Sequence, residues 1–158
     1  MEIANTNPIF EKINFLDNAV SSSERLKELE KLSAEYSYAY PAFNDSERRI
    51  EWIEKSEELG FRIPILVHPL SCIARSAQLR KGTIIEPMAV IKSNTSVGIG
   101  CVISAGAAIG NGTFVGDGCN IGSNSAISEN TLVPAGTKIA PCSHFKLDRE
   151  LKTEDLFF

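Results

Sequence analysis

An Ile, Val or Leu recurs at every sixth position of this chain, without a miss, from Val67 through Ile73, Leu79, Ile85, Ile91, Val97, Ile103, Ile109, Val115, Ile121, Ile127 and Val133 to Ile139. Four residues after each of these stands a small one: Ser71, Ala77, Thr83, Ala89, Thr95, Cys101, Ala107, Thr113, Cys119, Ser125, Thr131, Thr137 and Ser143. Neither the 3.6-residue period of a helix nor the two-residue period of a strand holds such a spacing. A large aliphatic plus a small residue every six predicts short strands wound into a parallel β-helix of hexapeptide repeats. Three hexads close one triangular coil, so residues 18 apart stack about 4.8 Å from each other. The aliphatic column fills the prism, and the small residues sit where its interior narrows at a corner. The residue before each small one is often Gly or Asn (Gly82, Asn94, Gly100, Gly106, Gly112, Gly118, Asn124, Asn130, Gly136), the types that tolerate a positive φ at a corner.

The first 66 residues follow a different pattern. Ile13 to Asp17 reads as a short strand, and Ser21 to Glu24 as a capping box opening a helix. Tyr38 to Phe43 is a second strand, placed at an edge by Pro41. Asn44 to Glu47 offers another N-cap, before a helix with Ile50, Ile53 and Leu59 on one side that stops at Gly60. Arg62 to Val67 is a third strand that runs into the first coil. The order β-α-β-α-β describes a small α/β layer. The expected organisation is therefore an incomplete α/β region at 1–66, a β-helix at 67–144 and a charged tail at 145–158.

Composition narrows the partners. Sixteen Lys and Arg against 20 Asp and Glu leave a net charge of −4, and the basic residues do not cluster, which argues against nucleic acid and anionic membranes. No apolar run approaches the length of a membrane span and no leader pattern opens the chain, so the expected compartment is the cytoplasm. Cys101 and Cys119 fall 18 apart in the small register and read as stacked apolar residues. Cys72 and Cys142 lie far apart, no CxxC spacing occurs, and no metal is expected.

The block AFNDSERRIEWIEKSEELGFRIPILVHPLSCIARSAQLRKGTIIEPMAVI resembles the junction in the sialic acid O-acetyltransferase and UDP-sugar N-acetyltransferase family, with its helix ending in Gly-Phe, an apolar strand and His-Pro. INFLDNA resembles that family's second strand, and the likeness runs from about residue 12 to about 139. It implies a small Rossmann-like domain before a left-handed parallel β-helix, assembled as a homotrimer. It also implies transfer of an acetyl group from acetyl-CoA, as co-substrate, to a sugar amine or hydroxyl in clefts between subunits.

Against the family pattern the chain reads as truncated at the N-terminus, without the opening strand and glycine-rich loop, and with fewer coils. At the hexad where the family carries an acid followed by a histidine base, this chain has Gly110 and Asn111, and at a second family histidine it has Asn120. An amide can hold a substrate or an oxyanion but cannot take a proton. Glu129, 18 residues beyond Asn111, should stack on it, with Ser93 one coil the other way. These positions assign Asn111 and Glu129 to catalysis, Ser93 and Asn120 to the substrate, and Lys138 to a phosphate of the coenzyme. His68 reads as a junction residue, and His144 as a surface residue within reach of a cleft. Two other readings stay open: a non-catalytic trimeric scaffold or binding module derived from such an enzyme, and a split chain whose partner supplies the missing strand.

Overall fold

The computed structural model describes residues 12–15 and 22–146. Every hexad forms a two-residue strand followed by a turn, and the strands line up in three parallel sheets. Sheet I stacks β1 (Leu66–Val67), β4 (Ile84–Ile85), β7 (Val102–Ile103), β10 (Asn120–Ile121) and β13 (Lys138–Ile139). Sheet II stacks β2 (Cys72–Ile73), β5 (Val90–Ile91), β8 (Ala108–Ile109), β11 (Ala126–Ile127) and β14 (His144–Phe145). Sheet III holds β3 (Gln78–Leu79), β6 (Ser96–Val97), β9 (Phe114–Val115) and β12 (Leu132–Val133). Partners are 18 residues apart throughout, as in Leu66 with Ile84 and Asn120 with Lys138. The solenoid is a left-handed parallel β-helix.

The second residue of each strand points inward. Ile85, Ile103, Ile109, Val115, Ile121 and Val133 are fully buried and make one continuous core. The small register does more than save space. Thr83, Thr95 and Thr113 each donate a hydroxyl hydrogen bond to a carbonyl fifteen residues on: Gly98 at 2.7 Å, Gly110 at 3.0 Å and Ser128 at 2.9 Å. Cys101 and Cys119 place their thiols in the same way on Gly116 and Pro134, each at 3.1 Å. A buried carbonyl without a donor is costly. Thr95→Val, which keeps the shape and removes the hydroxyl, should therefore cost about 1–2 kcal/mol in a denaturant titration. All nine Gly and Asn corners read from the sequence have positive φ, and Met88 (61°) and Cys142 (55°) adopt it as well.

The N-terminal region is more helical than the β-α-β-α-β reading. Helix α1 (Ser22–Leu32) and helix α2 (Ser46–Glu58) are present. Asp45 caps α2 by accepting from the Arg48 N–H at 2.9 Å, and Gly60 follows its end at φ 87°. The expected strands shrink to a single parallel bridge between Tyr38 and Arg62. Pro41 and Pro64 cannot donate to a ladder, so pairing stops on both sides, and only Leu66–Val67 joins a sheet, that of the solenoid. Ile13 to Phe15 is not a strand, while Leu16, Asp17 and the capping residue Ser21 lie outside the described residues. Leu29, Trp52 and Phe61 form a second small core, with the Arg25 guanidinium 5.4 Å from the Trp52 ring centre and 5.7 Å from that of Phe43.

Helix α2 lies along the corner between sheets III and I. A Cβ on Gly100 would come within 2.9 Å of Ile50 Cδ1 and 3.0 Å of Ile53 Cδ1, and one on Gly82 within 2.6 Å of Ile53 Cδ1. Glycine corners are thus what let the helix seat. The seat is pinned by Arg49, which is 1% exposed. Its Nε donates to the Gly100 carbonyl at 2.6 Å, Nη1 to the Phe43 carbonyl at 2.6 Å, and Nη2 to the Asn120 amide oxygen at 2.7 Å and the Gly118 carbonyl at 3.3 Å. Burial lowers the pKa of this guanidinium, and the carbonyl oxygens around it compensate the buried charge.

Candidate functional site

Ser93, Asn111 and Glu129 stand one above another at the corner between sheets II and III, all exposed. The stack is fixed by backbone. The Gly112 N–H donates to the Ser93 carbonyl at 3.0 Å, and the Asn130 N–H to the Asn111 carbonyl at 2.8 Å. From inside, Thr95 holds the Gly110 carbonyl and Thr113 holds that of Ser128, so the residues just before Asn111 and Glu129 are each tied to the core. The result is a rigid polar strip of a hydroxyl, an amide and a carboxylate at coil spacing.

Gly110, which stands at the acidic position of the family hexad, has no room for a side chain. A Cβ there would lie 2.4 Å from the Glu129 nitrogen, 2.7 Å from its Cα and 2.7 Å from the Ser128 carbonyl carbon. These are backbone atoms of the next coil and cannot step aside. Asn111 has no such constraint, since it is exposed on the turn.

The remaining assigned residues stand elsewhere on the subunit. Asn120 and Lys138 are paired neighbours on the outer side of sheet I, across the prism from the strip. Both ends of the Asn120 amide are engaged: its oxygen accepts from Arg49, and its Nδ2 donates to the Asn44 carbonyl at 3.1 Å. Lys138 is exposed at the lower end of that face, and a Cβ added at the nearby Gly136 corner would meet no atom of the described residues within 4 Å. Within one chain, therefore, the strip and the Asn120–Lys138 pair are separate.

His68 is buried, and its Nδ1 accepts from the Leu70 N–H at 3.1 Å, which suits a junction residue. His144 is exposed on sheet II, and its Nε2 lies 2.8 Å from the Ser128 hydroxyl. That contact, and the clamp made by Arg49, were not legible from spacing. The one available signal for Arg49 is its place on the buried side of α2, between Ser46 and Ile53 at helical spacing.

Cys101 and Cys119 are buried free thiols, whereas Cys72 and Cys142 are exposed. The hydrogen bond with Cys119 and then burial push the Cys101 thiol up, leaving it protonated and unreactive. Among the described residues, no group of three or more His, Cys, Asp or Glu side chains could hold a metal ion. No helix there is long and apolar enough to cross a membrane.

No protein-family model matches the sequence, and no curated protein matches it. Solved structures do. The acetyltransferase domain of PglB from Neisseria gonorrhoeae superposes with a TM-score of 0.67 at 18% identity, over 93% of this chain and 84% of that one. A complex of the same domain with acetyl coenzyme A gives 0.46 at 21% identity, over 88% and 85%. A variant of perosamine N-acetyltransferase from Caulobacter crescentus, in complex with CoA and GDP-perosamine, gives 0.45 at 21%, over 73% and 69%. The likeness to the PglB domain bears out the fold of this chain, a parallel β-helix of hexapeptide repeats preceded by a small helical region.

Proposed function

We propose that this protein is an acetyl-CoA-dependent acetyltransferase that acts on the amine or hydroxyl of a sugar or nucleotide sugar, and that it works as a homotrimer. The observation that carries this reading is the match to the PglB acetyltransferase domain over 93% of this chain. In a trimer, the strip of one subunit faces a neighbour. Sheet II offers a surface for such packing, because its outward residues Val90, Ala108 and Ala126 are small and apolar, with Leu70 and Met88 exposed at its edge. Light scattering should give the mass of a trimer, and a monomer mass would remove the shared cleft.

Asn111 would hold the acceptor or the carbonyl oxygen of the thioester, and Ser93 an acceptor hydroxyl. Glu129 would take a proton or balance an ammonium. Lys138 would meet a phosphate of the coenzyme, at the foot of a face whose shape Asn120 fixes through Arg49. Holding donor and acceptor in register supplies much of the rate, and an amine that arrives neutral needs little help from a base.

The reading is tested by incubating the protein with labelled acetyl-CoA and a panel of free, phosphorylated and nucleotide-linked amino sugars. If label is transferred, Asn111→Ala should lower the rate far more than His68→Ala, whose cost should appear as lost thermal stability. The opposite ranking would move the site away from the strip.

The alternative of a non-catalytic trimeric scaffold has its own observation in the Gly110–Asn111 pair. Neither residue is a proton acceptor, and the first cannot become one. No transfer to any acceptor by a folded trimer would favour it.

A further inference from the structure

The strip has a neighbour that the hexapeptide pattern does not define. His144, on β14, pairs in register with Ala126 of β11. The outward residues above it on sheet II, Ala126 and then Ala108, are too short to cover an imidazole. The imidazole leans toward the strip and meets the Ser128 hydroxyl at 2.8 Å. Ser128 is itself held on both sides. Its N–H donates to the Phe145 carbonyl at 3.0 Å, and its carbonyl accepts from Thr113 at 2.9 Å. Ser128 directly precedes Glu129, and Asn111 is one coil above Glu129, about 4.8 Å away. The Ser128 hydroxyl therefore joins the imidazole on sheet II to the turn that carries Glu129 and, one coil above, Asn111.

We propose that His144, oriented by Ser128, is the proton acceptor of the acetyl-transfer site, an inference that rests on the acetyltransferase reading above. When Nε2–H donates to the Ser128 oxygen, Nδ1 keeps a free lone pair that can face an acceptor. As the acceptor nitrogen or oxygen attacks the thioester carbonyl, its proton passes to that lone pair. The C–S bond then breaks, and the imidazolium returns the proton to the departing thiolate of CoA. Asn111 holds and Glu129 balances charge, and neither has to supply the base. The imidazole thus comes from a different coil and a different face than the family hexad.

The test follows CoA release from acetyl-CoA, with water alone and with the amino-sugar panel, beside direct measurement of acetyl-CoA affinity. Relative to wild type, His144→Ala should lower turnover about 100-fold, with acetyl-CoA affinity and melting temperature unchanged, and added imidazole should restore part of the rate. Ser128→Ala should lower it by about tenfold, the worth of one orienting hydrogen bond. Full turnover in His144→Ala, or a loss that imidazole does not restore, would overturn the proposal. So would an acetyl group found on Ser128 by intact mass, because that residue would then be a nucleophile with His144 serving it. Acetyl-CoA that binds to wild type but is never turned over also counts against His144, and leaves the coenzyme-binding part of the reading standing. Failure to bind acetyl-CoA at all overturns that reading first.

Discussion

Gly110→Asp should unfold the middle of the solenoid instead of activating it, at a cost of about 3 kcal/mol or more. The substitution looks like a restoration, since the resembling family has an acid at this place. The coil geometry decides otherwise. A Cβ at Gly110 would sit 2.4 Å from the Glu129 nitrogen and 2.7 Å from two further backbone atoms of the coil below. A flexible side chain could move aside, but a hydrogen-bonded strand-to-turn segment held by Thr113 cannot. Because stacked coils share one core, the disturbance spreads to both neighbours. Asn111→His is the matched control: the residue is exposed, and the change should alter stability by no more than about 0.5 kcal/mol. Equilibrium urea unfolding of the two variants separates the effects. Equal stability would mean that the coils are spaced differently at this corner.

Arg49→Ala should cost about 3 kcal/mol and release α2 from the solenoid. Alanine leaves the Gly100 and Phe43 carbonyls without the donors they have at 2.6 Å, and takes from Asn120 the partner that orients its amide. Ile50 and Ile53 still reach the glycine corners, but their seat is no longer locked. Because the β-helix core of Ile85 to Ile139 does not use Arg49, the loss should fall on one part of the molecule. Hydrogen exchange should show faster opening across 22–62 with little change in the coils. Lysine should not rescue, since one ammonium cannot reproduce the fork that reaches the Gly100 and Phe43 carbonyls and the Asn120 amide together. Uniform exchange across the whole chain would show instead that the two parts unfold together.

The solenoid was readable from the sequence because each of its requirements recurs. A buried aliphatic, a small residue and a corner that accepts positive φ come back every six residues, and Ile103, Cys119 and Asn124 fill those roles as their positions foretell. The stack of Ser93, Asn111 and Glu129 followed from the same arithmetic. What arithmetic cannot show is how a non-repeating segment meets a repeating one. The strands expected at Tyr38 to Phe43 and Arg62 to Val67 depend on neighbours that prolines prevent, and all that forms is one bridge. Asn120 is assigned to the substrate by its place in the repeat, yet its amide oxygen accepts from Arg49, a residue of a helix 71 positions earlier in the chain. The meeting of Ser128 and His144 joins residues 16 apart. That interval is two short of the coil, so no repeat announces it.

A calorimetric titration of the full chain with acetyl-CoA measures directly whether the coenzyme cleft exists. Saturable binding at about one site per subunit, weakened by Lys138→Ala, is the predicted result. No heat at millimolar acetyl-CoA, from protein shown to be folded and trimeric, would contradict it and leave a β-helix scaffold.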